Sequence, residues 1–309
     1  MSVRDSTAGT TARSAERRFD PAGAACSAAS VSIVIPALDE AANLPHVFAR
    51  IPASVHEVIL VDGHSRDGTI DIARAIRPDV RIVLQDGRGK GNALACGFAA
   101  ATGDIIVMID ADASNDPAEI PRFVDALLDG HDFAKGSRFA TGGASADITP
   151  VRHLGNRVLG IAVNLLFRTS YTDLCYGFNA FWRHCLPHMH VTCDGFEVET
   201  LIHVRVARAG LAVAEVASVE HERLHGESKL SATRDGLRIL RMIVRERVRR
   251  GTIGHSEGWR PSYRELPLAA GDVGSQVENG RSEGRVVAED RRMHAARSHT
   301  AQADLSPAG

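Results

Sequence analysis

The feature of this sequence that most restricts its fold is a regular alternation of short apolar runs with amphipathic stretches. Apolar runs of strand length occur at 31–35, 57–61, 80–84 and 104–109. Helical patterns lie between them at 40–50, 69–76 and 90–101. Continuous apolar strands separated by helices are typical of parallel sheets that are covered on both sides. The sequence therefore predicts an α/β fold with a Rossmann-like, mostly parallel central sheet and helices on both faces.

The pattern continues with a well-defined helix from Asp116 to Gly130. Asp116 suits the N-cap, Pro117 suits the first turn, and Gly130 suits the C-terminal end. One apolar stripe between them is formed by Ile120, Phe123, Val124, Leu127 and Leu128. Later elements are predicted as helices at about 152–167 and 196–209, and as strands at about 178–182 and 212–219.

Periodic structure is predicted for a single domain, residues 30–250. Residues 1–29 are rich in small and polar residues, and residues 251–309 are polar without a sustained apolar pattern. Such segments cannot bury enough apolar surface to fold, so both are expected to be disordered. The domain is predicted to end in a basic amphipathic helix at about 231–250.

The composition narrows the possible partners and compartment. A formal charge of −2 over 309 residues gives no indication of nucleic-acid binding. Five cysteines without a C-x-x-C pair favour a reducing cytoplasm. No apolar stretch reaches the roughly 18 residues of a membrane span, and no apolar core follows Arg17 and Arg18 as in a secretory signal. We therefore expect a cytoplasmic protein that is not secreted and has no transmembrane helix.

Two common nucleotide-binding motifs are absent. A dinucleotide site needs G-x-G-x-x-G after the first strand, but Pro36 is followed by Ala-Leu-Asp-Glu-Ala. The segment Gly87–Asn92 superficially resembles a phosphate loop but lacks the G-x-x-x-x-G-K-[ST] spacing. Its backbone N–H groups and Lys90 are still suited to a position near a phosphate at a helix start.

Carboxylates follow three of the predicted strands. Asp39 and Glu40 follow the first, Asp62 follows the second, and Asp110 and Asp112 follow the fourth. Ligands of α/β sheets bind beyond the carboxyl ends of the strands, so these acids are expected to gather at one edge. Carboxylates at close range repel each other unless a cation lies among them or one is protonated.

Asp110 and Asp112 form the most specific part of this group. Residues two apart in extended backbone point the same way, so both side chains can face one ion. Oxygen ligands select a hard divalent cation, Mg²⁺ or Mn²⁺. For Asp39 and for Asp67, simple helix capping is an equally good interpretation.

Eight segments in this order resemble family 2 glycosyltransferases of the GT-A fold, and within them the polyprenyl-phosphate (dolichyl-phosphate) mannosyl- and glucosyltransferase group. The segments span about residues 31–250 and read VSIVIPALDE, VDGHSRDGT, GRGKGNAL, MIDADAS, KGSRF, TDLCYGFNAFWR, DGFEVET and ERLHGESKL. The resemblance implies an inverting transfer of a hexose, mannose or glucose, from GDP-mannose or UDP-glucose to polyprenyl phosphate.

The resemblance also implies roles for individual residues. The nucleoside pocket and its surroundings would comprise Pro36, Ala37, Asp39, Glu40, Asp62, Gly63, Lys90 and Gly91. The metal and the diphosphate would lie at Asp110, Ala111 and Asp112, with Arg223 and Lys229 over the donor phosphates. Arg138 and Arg152 would bind the acceptor phosphate, and Glu197 and Glu199 would lie near the acceptor. The chain departs from the family at Gly63, where a second Asp is frequent, and at Ser114, where some members have Gln.

Three functions are consistent with these residues. A phosphate acceptor is already ionised at neutral pH and needs cations rather than a general base, which suits Arg138 and Arg152. A soluble polysaccharide or natural-product hydroxyl acceptor would instead need a base such as Glu197 or Asp194. The third is a non-catalytic nucleotide-sugar-binding protein, against which the intact Asp110 and Asp112 argue.

The predicted helix at 231–250 allows two interpretations. Leu237, Leu240, Val244 and Val248 form an apolar stripe at helical spacing, and seven arginines surround it. A basic amphipathic helix is typical of a peripheral contact with an anionic membrane surface. A helix packed on the domain with a solvated basic face explains the pattern equally well. The sequence does not specify the oligomeric state.

Overall fold

Four parallel strands form the first half of the central sheet in the computed structural model, which describes residues 29–226, 230–249 and 262–268. They are β1 (Val31–Ala37), β2 (Glu57–Asp62), β3 (Arg81–Gln85) and β4 (Ile105–Met108). β1 lies between β2 and β4, with Ala37 opposite Asp62 and Val34 opposite Met108. This register brings the carboxyl ends of three strands to one edge of the sheet.

The helices that connect these strands are α1 (Leu44–Phe48), α2 (Thr69–Ile76) and α3 (Gly89–Ala100). α1 is shorter than the predicted helix at 40–50. The backbone N–H of Glu40 donates to Thr69 Oγ1 at 3.0 Å, and that of Ala41 donates to Asp67 Oδ2 at 2.9 Å. Residues 38–41 are therefore held by the loop after β2 rather than by a helix.

The second half of the chain extends the sheet with strands of mixed direction. A short 3-10 turn (Pro117–Glu119) leads into α4 (Ile120–Leu128), followed by β5 (Phe133–Ser137), β6 (Ala144–Ser145), α5 (Pro150–Phe167) and β7 (Asn179–Trp182). A second 3-10 turn (Arg183–Cys185) precedes α6 (Leu186–Met189), α7 (Val198–Ala209), β8 (Val213–Ala217), β9 (Val219–Glu220), α8 (Ala232–Val248) and β10 (Tyr263–Leu266). All of these elements belong to one compact unit.

The large sheet has the strand order β10-β3-β2-β1-β4-β7-β5-β8, and β6 pairs separately with β9. β7 is antiparallel to both of its neighbours, and β10 is antiparallel to β3, whereas the other pairs of this sheet are parallel. The predicted fold class, a mostly parallel sheet in an α/β protein, is confirmed. Among the helices in the described ranges, none combines the length and apolarity that crossing a membrane requires.

Alternate residues of the buried strands supply two separate cores, which explains the continuous apolar runs. Ile33 and Leu60 pack on one face with α1, α2 and α4. Val34 and Val61 pack on the other face with α3, α6 and α7. A third cluster, which includes Val163 of α5 and Ile243 of α8, joins α5, α7 and α8 on one side of the fold.

β5 is a strand that the sequence pattern does not reveal. Its residues read Phe-Ala-Lys-Gly-Ser, and all five are buried. Lys135 lies opposite Glu215 of β8, and its Nζ contacts Glu215 Oε1 at 3.0 Å. A buried lysine is tolerated here because its carboxylate partner is on the neighbouring strand. A search for runs of apolar residues does not find this strand, because a buried ion pair takes the place of apolar side chains.

β10 corrects part of the predicted disordered tail. It lies within 251–309, yet Tyr263–Leu266 pairs with β3, and Arg81 bonds to Glu265 through Nε at 2.7 Å. This four-residue strand is mostly polar because it occupies the sheet edge, so no apolar pattern marks it. The remainder of that tail, and the lead 1–28, lie outside the described residues.

α8 is fixed to the domain by one buried acid. Glu246 accepts from Arg205 at 2.7 Å and from Arg208 at 2.7 Å, both on α7. Ile239, Met242 and Ile243 are also buried. α8 is therefore packed on the domain through one face, while its opposite face is exposed, so the packing leaves both interpretations of the basic face open.

Two helical glycines predict opposite effects of the same substitution. A Cβ on Gly97 of α3 would lie 2.3 Å from Val34 Cγ1 and 2.8 Å from Val61 Cγ2, whereas a Cβ on Gly155 of α5 would contact nothing. Gly97→Ala should lower the free energy of unfolding by about 1 kcal/mol or more, because overpacking exceeds the gain in helix propensity. Gly155→Ala should raise it by up to about 1 kcal/mol. Urea unfolding of both variants tests this, and equal effects would contradict the close contact of α3 with the sheet.

Candidate active site

A cleft of about 500 Å³ opens at the carboxyl edge of the sheet. The sequence-predicted residues that line it are Pro36, Ala37, Glu40, Gly63, Lys90, Asp110, Ala111, Asp112, Arg138, Arg152 and Arg223. Asp39, Asp62 and Gly91 are not part of this lining, and Lys229 lies outside the described residues. The tertiary structure thus gathers most of the predicted site in one place.

Asp39 fixes one wall of the cleft rather than facing into it. Its Oδ1 accepts from the backbone N–H of Arg66 at 2.8 Å, and its own N–H donates to Ser65 Oγ at 2.9 Å. Asp67 accepts from the N–H of Thr69 at 3.0 Å, as a residue at a helix start does. These acids lock the loops after β1 and β2 together, and neither is the N-cap of the helix that follows it, because Asn43 holds that position in α1 and Gly68 holds it in α2.

Asp62 ends β2 and has one carboxylate oxygen without a partner. Its Oδ2 accepts from the backbone N–H groups of His64 at 2.9 Å and Ser65 at 3.1 Å. Its Oδ1 is buried and has no hydrogen-bond partner in the described part of the chain. Since buried acceptors are normally satisfied, this oxygen is an open acceptor site beside Gly63 of the lining.

Asp110 and Asp112 follow β4, and each is neutralised by a basic side chain. Lys90 Nζ lies 2.5 Å from Asp110 Oδ1, and Arg223 Nη2 lies 2.6 Å from Asp112 Oδ2. The other oxygen of Asp112 accepts from Ser114 Oγ at 2.7 Å. The two carboxylates therefore carry protein cations where the sequence predicts a divalent cation and a diphosphate.

Lys90 also binds Glu199 of α7, with Nζ 2.7 Å from Oε1. Burial disfavours the ammonium, but the carboxylates of Asp110 and Glu199 outweigh that effect and hold the pKa of Lys90 above its ordinary value. Burial raises the pKa of the Glu199 carboxyl, and Lys90 limits that rise. Glu199, predicted near the acceptor, is thus the second partner of Lys90.

Two glycines allow the backbone to approach this ion-pair group. A Cβ on Gly177 would lie 2.5 Å from Asp110 Oδ2, so any side chain there would displace the carboxylate. A Cβ on Gly91 would lie 2.0 Å from the carbonyl oxygen of Cys193. The N–H of Gly91 donates to the Asp194 carbonyl at 2.9 Å, so it joins α3 to the segment before α7.

Arg138 is buried and fully engaged by the protein. Its Nε donates to Asp173 Oδ2 at 2.7 Å, and its Nη2 donates to Asp173 Oδ1 at 3.0 Å and to the Cys175 carbonyl at 2.9 Å. Its Nη1 bonds both oxygens of Glu220, at 3.0 and 3.1 Å. These contacts use the five N–H donors of a guanidinium, so direct binding of a phosphate would require their rearrangement.

Arg152 is held more loosely at the N-terminal end of α5. Its side chain is 28% exposed, and its Nη1 lies 3.4 Å from Asp147 Oδ2. Arg234 and Arg238 of α8 also line the cleft. In the sequence these two arginines are recognisable only as part of a basic helix face. Their place in the cleft depends on how α8 packs, and no local motif indicates it.

The donor set at Asp110 and Asp112 fits a divalent cation that shares its coordination with a substrate. No group of three or more His, Cys, Asp or Glu side chains arranged for a metal occurs among the described residues. Mg²⁺ is commonly bound by one or two carboxylates together with substrate phosphates and water. Two hard-oxygen acids beside a cleft therefore suit such an ion once a diphosphate is present.

A mostly parallel α/β sheet, an aspartate pair after a central strand and a cleft at the carboxyl edge are the features that the resemblance to GT-A glycosyltransferases implies. Residues 32–188 match the family described as Glycosyl transferase family 2, and the chain belongs to that family. The family resemblance inferred from the sequence is confirmed.

Two curated relatives align with about two thirds of the chain. Glycosyltransferase AglJ of Haloferax volcanii is 29% identical over 210 residues, which cover 67% of this chain and 68% of AglJ. The undecaprenyl-phosphate 4-deoxy-4-formamido-L-arabinose transferase of Aeromonas hydrophila is 30% identical over 210 residues, or 64% of this chain. The alignment spans 62% of the length of the Aeromonas protein.

Solved structures of a Mycobacterium tuberculosis enzyme share the fold. Glucosyl-3-phosphoglycerate synthase in complex with phosphoglyceric acid has a TM-score of 0.60 and 27% identity, covering 72% of this chain and 81% of its own. The same enzyme with Mn²⁺, UDP-glucose and phosphoglyceric acid has a TM-score of 0.60 and 26% identity, covering 79% of this chain and 89% of its own.

The Lys90 bridge predicts a large and pH-dependent loss of stability. Lys90→Met leaves two largely buried carboxylates without their counter-charge, which should cost about 3–5 kcal/mol of unfolding free energy at neutral pH. Burial raises the pKa of Glu199 and Lys90 lowers it, so this pKa rises further in the variant, and the deficit should shrink as falling pH protonates the carboxyl. Urea unfolding across a pH series measures both effects.

The control is Arg50→Met, which breaks the Arg50–Asp116 pair at the surface, where Arg50 is 57% exposed. This variant should lose less than about 1 kcal/mol at neutral pH. Equal losses in the two variants, or a Lys90→Met deficit that grows on acidification, would contradict a buried bridge at the site.

Proposed function

We propose that this glycosyltransferase moves a hexose from a nucleoside diphosphate sugar to a polyprenyl-phosphate acceptor. The observation that carries the proposal is one cleft with an aspartate pair at the strand ends and three arginines, Arg152, Arg234 and Arg238, elsewhere in its lining. The relatives support it, since the name of the Aeromonas protein specifies undecaprenyl phosphate. We also propose that residues 30–250 form the catalytic domain and that the residues predicted from the sequence act in this transfer.

The donor base is proposed to occupy the region of Asp62 and Gly63. The unpaired Oδ1 of Asp62 needs an N–H donor, and uracil and guanine each offer a ring N–H. We favour a UDP-sugar as the donor because the mycobacterial neighbour binds UDP-glucose. GDP-mannose is the alternative donor, and the binding measurements below compare UDP with GDP. Pro36, Ala37 and Glu40 would complete this end of the cleft.

Around the diphosphate, the chain supplies charge from several directions. A bound Mg²⁺ or Mn²⁺, held by Asp110 and Asp112, would neutralise the charge of the leaving diphosphate. Arg223, now paired with Asp112, is positioned to donate to phosphate oxygens when a nucleotide enters. Lys90 keeps its positive charge and orients Asp110. Lys229 is proposed for the same region.

A phosphate acceptor explains why the cleft needs cations more than a general base. A phosphate monoester is mostly dianionic at neutral pH and can attack the sugar carbon without losing a proton to the enzyme. Arg152 would bind and orient it, while Arg138 would hold the wall through Asp173 and Glu220. This division differs from the sequence-based expectation, in which both arginines contact the phosphate.

A hydroxyl acceptor is the second candidate, and one observation favours it. Asp194 lines the cleft, where it could take a proton from an alcohol. The two candidates differ in their dependence on this residue. Asp194→Asn should abolish turnover with an alcohol acceptor but leave turnover with a prenyl phosphate nearly unchanged.

The metal assignment predicts a selective defect in Asp112→Asn. The variant should lose Mn²⁺-dependent UDP binding and about 10²–10³-fold in kcat, since a preorganised charge on the leaving group is removed. Calorimetry with UDP or GDP, with Mn²⁺ or with a chelator, measures the first effect. Asp116→Asn, which removes a carboxylate charge paired with Arg50 and keeps an oxygen that can cap the helix, is the matched control. Normal metal-dependent binding by Asp112→Asn would overturn the assignment.

The acceptor assignment predicts that Arg152→Ala weakens acceptor use by about 10–100-fold in kcat/KM, because one charge-assisted contact to phosphate is lost. Donor affinity should not change. Arg157→Ala is the control, since Arg157 is exposed on the same helix and does not line the cleft. Steady-state kinetics with a short-chain prenyl phosphate measures the effect, and identical kinetics for the two variants would exclude a phosphate contact at Arg152.

A further inference from the structure

Exposed apolar side chains of the described chain are concentrated on two helices. Of the seventeen large apolar residues that are exposed, ten belong to α5 and α8. Apart from Leu166, which follows Leu165 directly, they recur three or four residues apart on each helix. We name this set the platform: Val151, Leu154, Val158, Ile161 and Leu165 of α5, with Leu237, Leu240, Val244 and Val248 of α8, each between 43% and 78% exposed.

The platform is the outer side of helices whose inner sides are packed. Val163 of α5 and Ile239 and Ile243 of α8 are buried in one shared cluster. The two helices therefore contact each other through one face, and each leaves a second apolar face uncovered. Exposed apolar surface on this scale, bordered by charge, marks an interaction site rather than ordinary surface.

The exposed charges that α5 and α8 carry are all of one sign. α5 contains no acidic residue. α8 contains only Asp235 and Glu246, and these are 1% and 2% exposed. The exposed charged residues of the two helices are the arginines Arg157, Arg234, Arg238, Arg241, Arg245 and Arg247. An apolar face on helices that expose only arginine charges is complementary to a surface that is apolar inside and anionic at its rim.

We propose that the platform docks on an anionic lipid bilayer, with α5 and α8 lying in the plane of the interface. Apolar side chains would enter the acyl boundary while the arginines contact lipid phosphates. Arg152 of α5 and Arg234 and Arg238 of α8 line the cleft, so docking places the cleft beside the headgroups. That the cleft would then receive a lipid-bound acceptor rests on the proposed function, whereas the docking itself does not.

Two other occupants fit the surface less well. A second copy packed about a two-fold axis would bring arginines against arginines, with no exposed acid on either helix to compensate. Residues 269–309 of the chain contain Val273, Val277, Val286, Val287, Met293 and Leu305 as their larger aliphatic residues, and these do not form a stripe at helical spacing. An anionic bilayer matches both the apolar face and its charge.

The test is sedimentation of the full chain with vesicles of phosphatidylcholine, alone or mixed with phosphatidylglycerol. Wild-type protein should sediment with the mixed vesicles at low salt and less at high salt, because the arginine contribution is screened. Leu154→Ser with Ile161→Ser should lower partitioning by about tenfold or more, since two inserting side chains are lost. Ile72→Ser with Ile76→Ser, at exposed apolar sites on α2, is the matched control and should sediment like wild type.

Three further measurements make the result decisive. Thermal unfolding confirms that both double variants are folded, and UDP binding should be equal in all three proteins. Turnover of a water-soluble short-chain prenyl phosphate should survive the α5 substitutions, while turnover of a vesicle-embedded polyprenyl phosphate should fall.

If the α5 variant sediments like wild type, the docking proposal is overturned even where transfer to the short-chain acceptor persists. If light scattering shows wild type to be a dimer that the α5 variant breaks, the platform is a subunit interface and the proposal fails.

Discussion

The ion pairs at the end of β4 are the interaction on which the rest of the site depends. A parallel sheet delivers several strand ends to one edge, and this chain places carboxylates at three of them. Such a group is tolerable only with compensating charge. Lys90 supplies it to Asp110 from α3, and Arg223 supplies it to Asp112 from the segment after β9. Distant parts of the chain are therefore tied to the same two acids, which fixes the shape of the cleft before any ligand enters.

The second half of the fold explains how the cleft comes to be lined by two kinds of residue. β7 runs antiparallel between β4 and β5, so the chain after β4 does not continue a simple alternation. The helices α5, α7 and α8 form their own cluster beside the sheet, and α5 and α8 carry arginines to the cleft. Glu246 bonds two arginines of α7, so a buried acid determines where the basic helix α8 lies. The aspartate pair thus belongs to the sheet, and the arginines belong to the helical side.

The limits of sequence reasoning follow from where buried polar groups occur. β5 was missed because Lys135 and Glu215 satisfy each other across two strands, and such pairing is invisible to a search for apolar runs. Arg138 was expected to be available to a phosphate, but Asp173 and Glu220 occupy its donors. Those acids are 35 and 82 residues away along the chain. A local sequence pattern shows which hydrogen bonds and ion pairs a residue can form. Which partner it actually bonds depends on tertiary contacts with residues far away in the sequence.

The sequence by itself determined the α/β class, the family and the two acids after β4, because strand–helix alternation and short motifs are properties of neighbouring residues. Only the tertiary structure decided which cation neutralises each acid and that Glu199 shares Lys90 with Asp110. It alone placed arginines of α5 and α8 in one cleft and left a uniformly basic apolar face uncovered. The physical reason is that charge compensation and burial act through space. They depend on how helices and strands pack, which no local period in the sequence encodes.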